Sequence, residues 1–380
     1  MVSFVLSKFK KSTGVTTDTR SIAKDNIFFA LKGDHFNGNK FAKKALEAGA
    51  SFAVIDEQEY NTDDRCILVK DVLETLQKLA AHHRAQFNIA VIGITGSNGK
   101  TTTKELINAV LSTSFNTFAT KGNFNNHIGV PLSLLSIKED TKVAIIEMGA
   151  NHVGEIATYC EWVKPTHGLI TNIGSAHLEG FGSHENIIIA KSELYDNIKT
   201  NKRIAFINND DALLSSLLED YDYKISYGSE GEVDTLVTLE SAFPTVTVSS
   251  KGEQYRTNLF GEYNFANVSA ALAIADYFDI KPEYIRAALE NYVPQNNRSE
   301  IRQVDSNIVI LDAYNANPTS VKAAVKSFAG LGVSNKKLIV GDMFELGKES
   351  QKLHQDTINF IESYDFDEIV YVGKAFSQCT

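Results

Sequence analysis

The densest chemistry in the sequence lies between residues 93 and 103, which read G-I-T-G-S-N-G-K-T-T-T. Gly96, Ser97, Asn98 and Gly99 can turn several backbone N–H groups toward one point. The N-terminus of the helix that follows adds roughly half a positive charge there. Lys100 can reach the outer phosphates of a nucleotide, and Thr101, with Thr102 in the same turn, offers a hydroxyl to Mg²⁺. A strict G-x-x-x-x-G-K-[ST] pattern would need glycine at position 94, which is Ile94. The apolar run Ile89–Ile94 before the loop and the helical pattern Lys104–Leu111 after it support a nucleotide-phosphate loop over a chance glycine-rich turn.

Other residues fit the same chemistry by position. Glu147 ends the apolar strand Val143–Met148, where a carboxylate at the carboxyl edge of a parallel sheet can hold a metal or simply make a structural ion pair. His177 lies just past the strand His167–Ile173 and faces the same edge, although a lone histidine is more often structural. Lys191 sits on the helix Glu185–Ile198, where lysine is ordinarily a solvated charge. Asn264 and Asn267 share one face of a helix's first turn and could cap it or read a base edge. The loop 121–131 is crowded with Asn123, Asn125 and Asn126 beside glycine, which is unusual for a purely structural turn. In the first 85 residues, Thr19-Arg20-Ser21 and the stretch Lys32–Gly38, with Gly33, Phe36 and Asn37, suit a polar ligand or a solvated turn equally.

These residues need an α/β frame to hold them. Strands at 27–31 and 51–55 with helices at 39–48 and 72–87 predict a small α/β domain over 1–85. Residues 86–295 predict a large central domain with a mostly parallel sheet, extended by strands at 203–207 and 224–227 and a β-rich stretch at 233–249. Residues 296–380 resume the alternation, with strands at 308–311, 337–340 and 367–372, and predict a third α/β domain with a mostly parallel sheet. The formal charge of −10 disfavours nucleic acid as a partner. No apolar run approaches the roughly 18–20 residues of a membrane span. Three scattered cysteines fit a reducing compartment, so a cytoplasmic enzyme is expected.

Taken together, T-G-S-N-G-K-T (95–101), Glu147, His177, Lys191 within A-K-S-E-L and the N-x-x-N of 264–267 resemble the Mur ligases, ATP-dependent amide-forming enzymes of peptidoglycan synthesis. Within that family K-G-N-F-N-N-H-I-G-V-P (121–131), E-M-G-A-N-H-V-G-E-I (147–156) and D-A-Y-N-A-N-P-T-S (312–320) are similar to the member that adds D-alanyl-D-alanine to UDP-N-acetylmuramoyl tripeptide. F-F-A-L-K-G-D-H-F-N-G (28–38) is similar to the family's uridine-nucleotide segment.

The resemblance implies a uridine-nucleotide-binding first domain, an ATP-binding centre and a Rossmann-like third domain that closes over ATP. It implies Thr101 and Glu147 at one magnesium ion, with His177 and a carbamylated Lys191 at another. Asn264, Asn267, Arg298 and Asp312 would hold adenine, phosphate and ribose, and Tyr314 and Asn315 would stand near substrate. A monomer is expected. Family members usually run several tens of residues past the position matching Thr380, so the third domain is expected to be incomplete. The ligase adding the third peptide residue and folylpolyglutamate synthetase share this chemistry. D-A-Y-N-A-N-P argues against the former and the segment 28–38 against the latter. A non-catalytic nucleotide-binding protein is the remaining alternative, and turnover would separate it.

Overall fold

The computed structural model describes residues 2–174, 177–295 and 297–379. The expected domain boundary at Asn296, the Ser175–Ala176 part of the His177 loop and both terminal residues lie outside the described residues. A seven-stranded parallel sheet runs through the centre. Its order is Thr235–Leu236, Lys224–Gly228, Ile204–Asn208, His167–Ile170, Ala90–Thr95, Val143–Glu147 and Thr117–Ala119. A parallel sheet must be covered on both faces, and its strands divide their side chains accordingly. Ile92, Ile94, Val143 and Ile145 pack on the helices Lys100–Leu111 and Phe265–Tyr277. Val91, Ala144 and Ile146 face the other layer, which includes Glu155–Val163 and His184–Thr200. The Phe265 helix is apolar almost all round, as a helix buried on several sides must be.

The first segment carries a four-stranded parallel sheet in the order Val15–Thr16, Ile27–Phe29, Phe52–Ile55, Cys66–Leu68. Phe28, Ala53 and Ile55 pack on the helix Ala42–Glu47. Ile27, Phe29 and Val54 join Leu76 and Leu79 of the helix Val72–Arg84 in a core shared with the central domain. Arg84, at the end of that helix, donates from Nε to Val163 O at 2.8 Å and fastens the junction.

Two expectations are corrected. The β-rich stretch does not extend the main sheet beyond Thr235–Leu236; Thr238–Ser241, Thr247–Ser250 and Glu253–Arg256 form a separate antiparallel sheet. Lys251 and Gly252 both take positive φ and close a two-residue hairpin between Ser250 and Glu253, which sets the last two of these strands antiparallel. In the third segment, Asn307–Leu311 pairs antiparallel with Glu300–Val304 through another tight turn. The parallel pair there is Lys337–Gly341 with Glu368–Val372, packed against the helices Pro318–Ala329 and Ser350–Ile361.

Three neighbouring central strands, those ending at Thr95, Glu147 and Ile170, deliver their carboxyl ends to one edge. The chain crosses from one side of the Ala90 strand to the other here, the kind of switch point at which open α/β sheets form ligand crevices.

Candidate active site

The loop after Thr95 is shaped by what surrounds it. Gly96 has φ +142°, and a Cβ there would meet Thr171 Oγ1 at 2.1 Å; at Gly99, φ +78°, it would meet Asn267 Oδ1 at 2.4 Å. Both positions therefore exclude side chains, while Ile94, where the strict rule wants glycine, is a buried strand residue of the core. The segment after the next strand holds the loop from behind. Ser97 N–H donates to Asn172 O at 2.9 Å, Asn98 N–H to Asn172 Oδ1 at 3.1 Å, and Thr171 Oγ1 to Asn98 O at 2.6 Å.

Lys100 opens the helix and folds back so that Nζ donates to Gly96 O at 2.7 Å and Ser97 O at 3.0 Å. Desolvation lowers its pKa, against the attraction of Glu147. Thr101 Oγ1 donates to Glu147 Oε1 at 3.1 Å, and Asn125 Nδ2 donates to the same oxygen at 2.8 Å. Glu147 Oε2 is buried without a hydrogen-bond partner, and Lys104 Nζ stands 3.4 Å from it. The structure thus brings together Lys100, Thr101, Glu147 and Asn125. An oxygen pair with one unsatisfied buried carboxylate oxygen suits Mg²⁺, which takes one or two protein oxygens and fills its shell with phosphate and water. Thr102 is buried in the same turn.

Lys104 was not singled out by sequence. It is 1% exposed and also donates to Gly122 O at 2.9 Å, so it ties the asparagine-rich loop to Glu147. In that loop Asn126 Oδ1 accepts from Gly129 N–H at 2.8 Å and starts the helix Gly129–Leu135. Asn123 contributes its carbonyl to Asn125 N–H at 2.7 Å.

Lys191 is corrected from solvated to buried: it is 1% exposed, with Nζ 3.2 Å from Ala150 O and 5.3 Å from the centre of the Phe181 ring. Burial, reinforced by Lys100, lowers its pKa to about 7. Glu193 lies two residues on, but its oxygens accept from Gly154 and Ala157 N–H groups at the start of another helix. His177 takes a left-handed backbone and its Nδ1 lies against the Glu345 carboxylate from the third segment. Its pKa is lowered by desolvation, with Glu345 opposing and Lys100 and Lys191 assisting. Lys191 and His177 thus feel a common electrostatic environment. As an amine Lys191 is a poor partner for Mg²⁺, which prefers oxygen. Among the described residues no three His, Cys, Asp or Glu side chains converge as a metal cluster.

Asn264 and Asn267 do not cap the helix; neither Asn264 nor any other side chain makes that cap bond. Asn264 Nδ2 donates to Phe260 O at 2.7 Å and Ser299 Oγ at 3.0 Å. Asn267 Nδ2 donates to Asn264 Oδ1 at 2.8 Å, and its Oδ1 accepts from Thr103 at 3.0 Å. Both amides satisfy themselves inside the protein and brace Gly99. Arg298 stacks on Tyr314, 3.6 Å from the ring centre, with its buried Nε unpartnered. Asp312 accepts from Tyr263 Oη at 3.1 Å, and desolvation by the surrounding protein raises its pKa. Tyr263, Ser299 and Asn317 join these contacts without having been singled out; Asn315 and Tyr314 lie exposed in the same loop.

The first-segment residues form their own surface. Thr19, Arg20 and Ser21 make one short turn, with Arg20 forked onto Asp18. Lys32–Gly33 and Phe36–Asn37 make a small antiparallel ribbon, and Gly38 packs tightly beneath it. Lys32 Nζ lies 3.1 Å from Asp56 Oδ1, and Asn37 Nδ2 donates to Glu57 at 2.8 Å. This acidic pair was also missed by sequence. Phe36 is exposed and stacks on Phe41 at 5.4 Å.

Comparison with known proteins agrees with this architecture along the chain. Residues 11–84 match the Mur ligase family catalytic-domain model, 94–275 the Mur ligase middle domain, and 297–378 the Mur ligase glutamate ligase domain. The UDP-N-acetylmuramoyl-tripeptide--D-alanyl-D-alanine ligase of Bacillus subtilis is 36% identical over 374 residues, covering 95% of this chain and 80% of that protein. Among solved structures, MurF from Acinetobacter baumannii superposes with a TM-score of 0.86 at 31% identity, covering 98% of this chain and 86% of that one. The ADP complex of MurF from Thermotoga maritima gives a TM-score of 0.81 at 26% identity, with 94% and 87% covered.

Proposed function

The chain belongs to the Mur ligase family, and from that premise we propose that it is the ATP-dependent ligase joining D-alanyl-D-alanine to UDP-N-acetylmuramoyl tripeptide. The observation that carries this reading is 36% identity across 95% of the chain to a relative bearing that activity in its name. The reaction would be a cytoplasmic step of peptidoglycan precursor synthesis. The tripeptide carboxylate attacks the γ-phosphorus of ATP, giving an acyl phosphate and ADP. The amine of D-alanyl-D-alanine then attacks the acyl carbon, and phosphate leaves. No protein nucleophile is needed, so positioning and charge compensation supply the rate.

In this reading Lys100 exchanges the Gly96 and Ser97 carbonyls for the β- and γ-phosphates, beside the N–H groups that open the helix at Lys100. Thr101 and Glu147 would hold one magnesium, and His177 with a carbamylated Lys191 another; bound there, the metal offsets the charge of phosphates and substrate carboxylate. The lowered pKa of Lys191 supports the modification, because only the neutral amine adds to CO₂, forming an N–C bond and releasing a proton. Asn264 and Asn267 keep the loop in shape. Arg298 and Asp312 approach the nucleotide from the third segment, and Tyr314 and Asn315 line the same opening. Asn125 places the asparagine-rich loop beside Glu147 on the substrate side. The ribbon Lys32–Gly38 and the turn Thr19–Ser21 would hold the uridine nucleotide.

The test is phosphate release from ATP by the purified chain, with each substrate alone and then both together. Release that requires both, with the pentapeptide product identified by mass, is the expected result. Tight binding of the uridine nucleotide without release would overturn the catalytic reading and favour a non-catalytic binding protein.

A further inference from the structure

Asn317 does more than its place before a helix requires. It precedes the helix Pro318–Ala329; its Oδ1 accepts from Ser320 N–H at 2.9 Å, and its own N–H donates to Ser320 Oγ at 3.1 Å. Serine or aspartate would serve that cap about as well. An amide differs in carrying an acceptor and two donors on one side-chain end. Because Ser320 N–H must meet oxygen, the Nδ2 group is turned outward, and it donates to Asn98 Oδ1 in the phosphate loop at 2.7 Å. Asn317 is 7% exposed, so water competes little for this bond.

Asn98 is itself tightly held. Its carbonyl accepts from Thr171 Oγ1 and, at 3.0 Å, from Asn172 Nδ2, while its N–H reaches Asn172 Oδ1. Beside it, Gly174 lies between Asn98 and Thr319: a Cβ there would stand 3.6 Å from Asn98 Nδ2 and 3.4 Å from Thr319 Oγ1, so loop and helix are neighbours at this point too. A loop braced in this way passes a displacement on to whatever it touches. The geometry points to Asn317 as a positioning residue that registers the third domain on the phosphate loop, so that one side chain couples nucleotide in the loop to closure of that domain. The inference deepens the proposed ligase reading and rests on it for the location of the nucleotide, but its test does not need ligation.

Asn317→Ser keeps a cap acceptor and loses the reach to Asn98, whereas Ser320→Ala weakens the cap and keeps that reach. Affinity for Mg-ADP by calorimetry and nucleotide-induced compaction by small-angle scattering should separate the two in the full chain. Asn317→Ser is expected to bind Mg-ADP roughly five- to tenfold more weakly and to lose compaction, with a melting temperature near that of the parent. Ser320→Ala should show the reverse, a lower melting temperature with affinity and compaction kept. Equal behaviour of the two variants, or parental affinity and compaction in Asn317→Ser, would overturn the assignment. If Asn317→Ser folds poorly, Asn98→Ala removes the same bond with the cap intact and must abolish compaction in the same way. A parent chain that binds Mg-ADP and compacts but makes no amide would refute the ligase reading while leaving this coupling supported.

Discussion

The phosphate-loop corner and the Lys191 corner handle buried charge in opposite ways. At the loop every charged group has polar company: Lys100 lies on two carbonyls, and Glu147 receives Thr101 and Asn125 with Lys104 close by. Lys191 is as deeply buried as Glu147, yet its surroundings are one carbonyl and an aromatic face, and the nearby Glu193 is committed to backbone N–H groups. The first corner is largely assembled before any ligand arrives, with Glu147 Oε2 the oxygen left without a hydrogen bond. The second carries an uncompensated amine, which is costly as a cation and becomes useful once it is neutral or modified. Burial at a functional site can therefore mean either a finished device or one awaiting chemistry.

The largest expected effect breaks the finished corner. Lys100→Ala should lower ligation by at least roughly a thousandfold while calorimetric binding of the uridine nucleotide is unchanged. Retained ligation would remove the loop from the chemistry.

At the other corner, Lys191→Met should cost roughly a hundredfold in turnover and yet stabilise the fold. Burial lowers the Lys191 pKa from 10.5 to about 7. Between those values the unfolded chain holds a proton that the folded chain has released, so parental stability rises with pH across that window and is lowest below it. In buffer free of carbon dioxide, the variant should melt roughly 2–4 °C higher than the parent near pH 6, and the gap should shrink toward pH 9. A gap that ignores pH would show that Lys191 is not the strained group. Glu147→Gln sharpens the contrast further: a roughly tenfold or greater rise in the magnesium needed for half-maximal turnover is expected. No change would detach the metal from the finished corner.

The finished corner was also the legible one. The strand, turn and helix around Lys100 are contiguous in sequence, so period and glycine spacing suffice to place them, and Glu147 follows from the strand-end rule. The Lys191 corner was misread because its burial comes from Ala150 and Phe181, which no helical period reports. Asn264 and Asn267 looked like caps because caps are local, whereas their partners Thr103 and Ser299 arrive from other segments. Asn317 and Asn98 are 219 residues apart, and only the folded chain joins them. The antiparallel sheet at 238–256 was lost to a two-residue turn hidden among ordinary polar residues.

The smallest expected effect lies in the first segment, where charge is neither finished nor frustrated but open to solvent. The Arg20 side chain is 87% exposed and forks onto Asp18, whose pKa it lowers to about 2, so both are charged at neutral pH. An exposed pair of this kind contributes little to folding, because water and mobile ions screen it and the side chains lose freedom in forming it. Arg20→Ala should therefore leave the melting temperature within about one degree of the parent. If the turn Thr19–Ser21 touches the uridine nucleotide, the same variant should raise KM for that substrate a few-fold with kcat unchanged, since a contact made equally in ground and transition states does not alter the chemical step. A fall in kcat would mean that this exposed turn takes part in assembling the reactive state, and that the first segment is mechanically joined to the buried corners rather than only holding one substrate beside them.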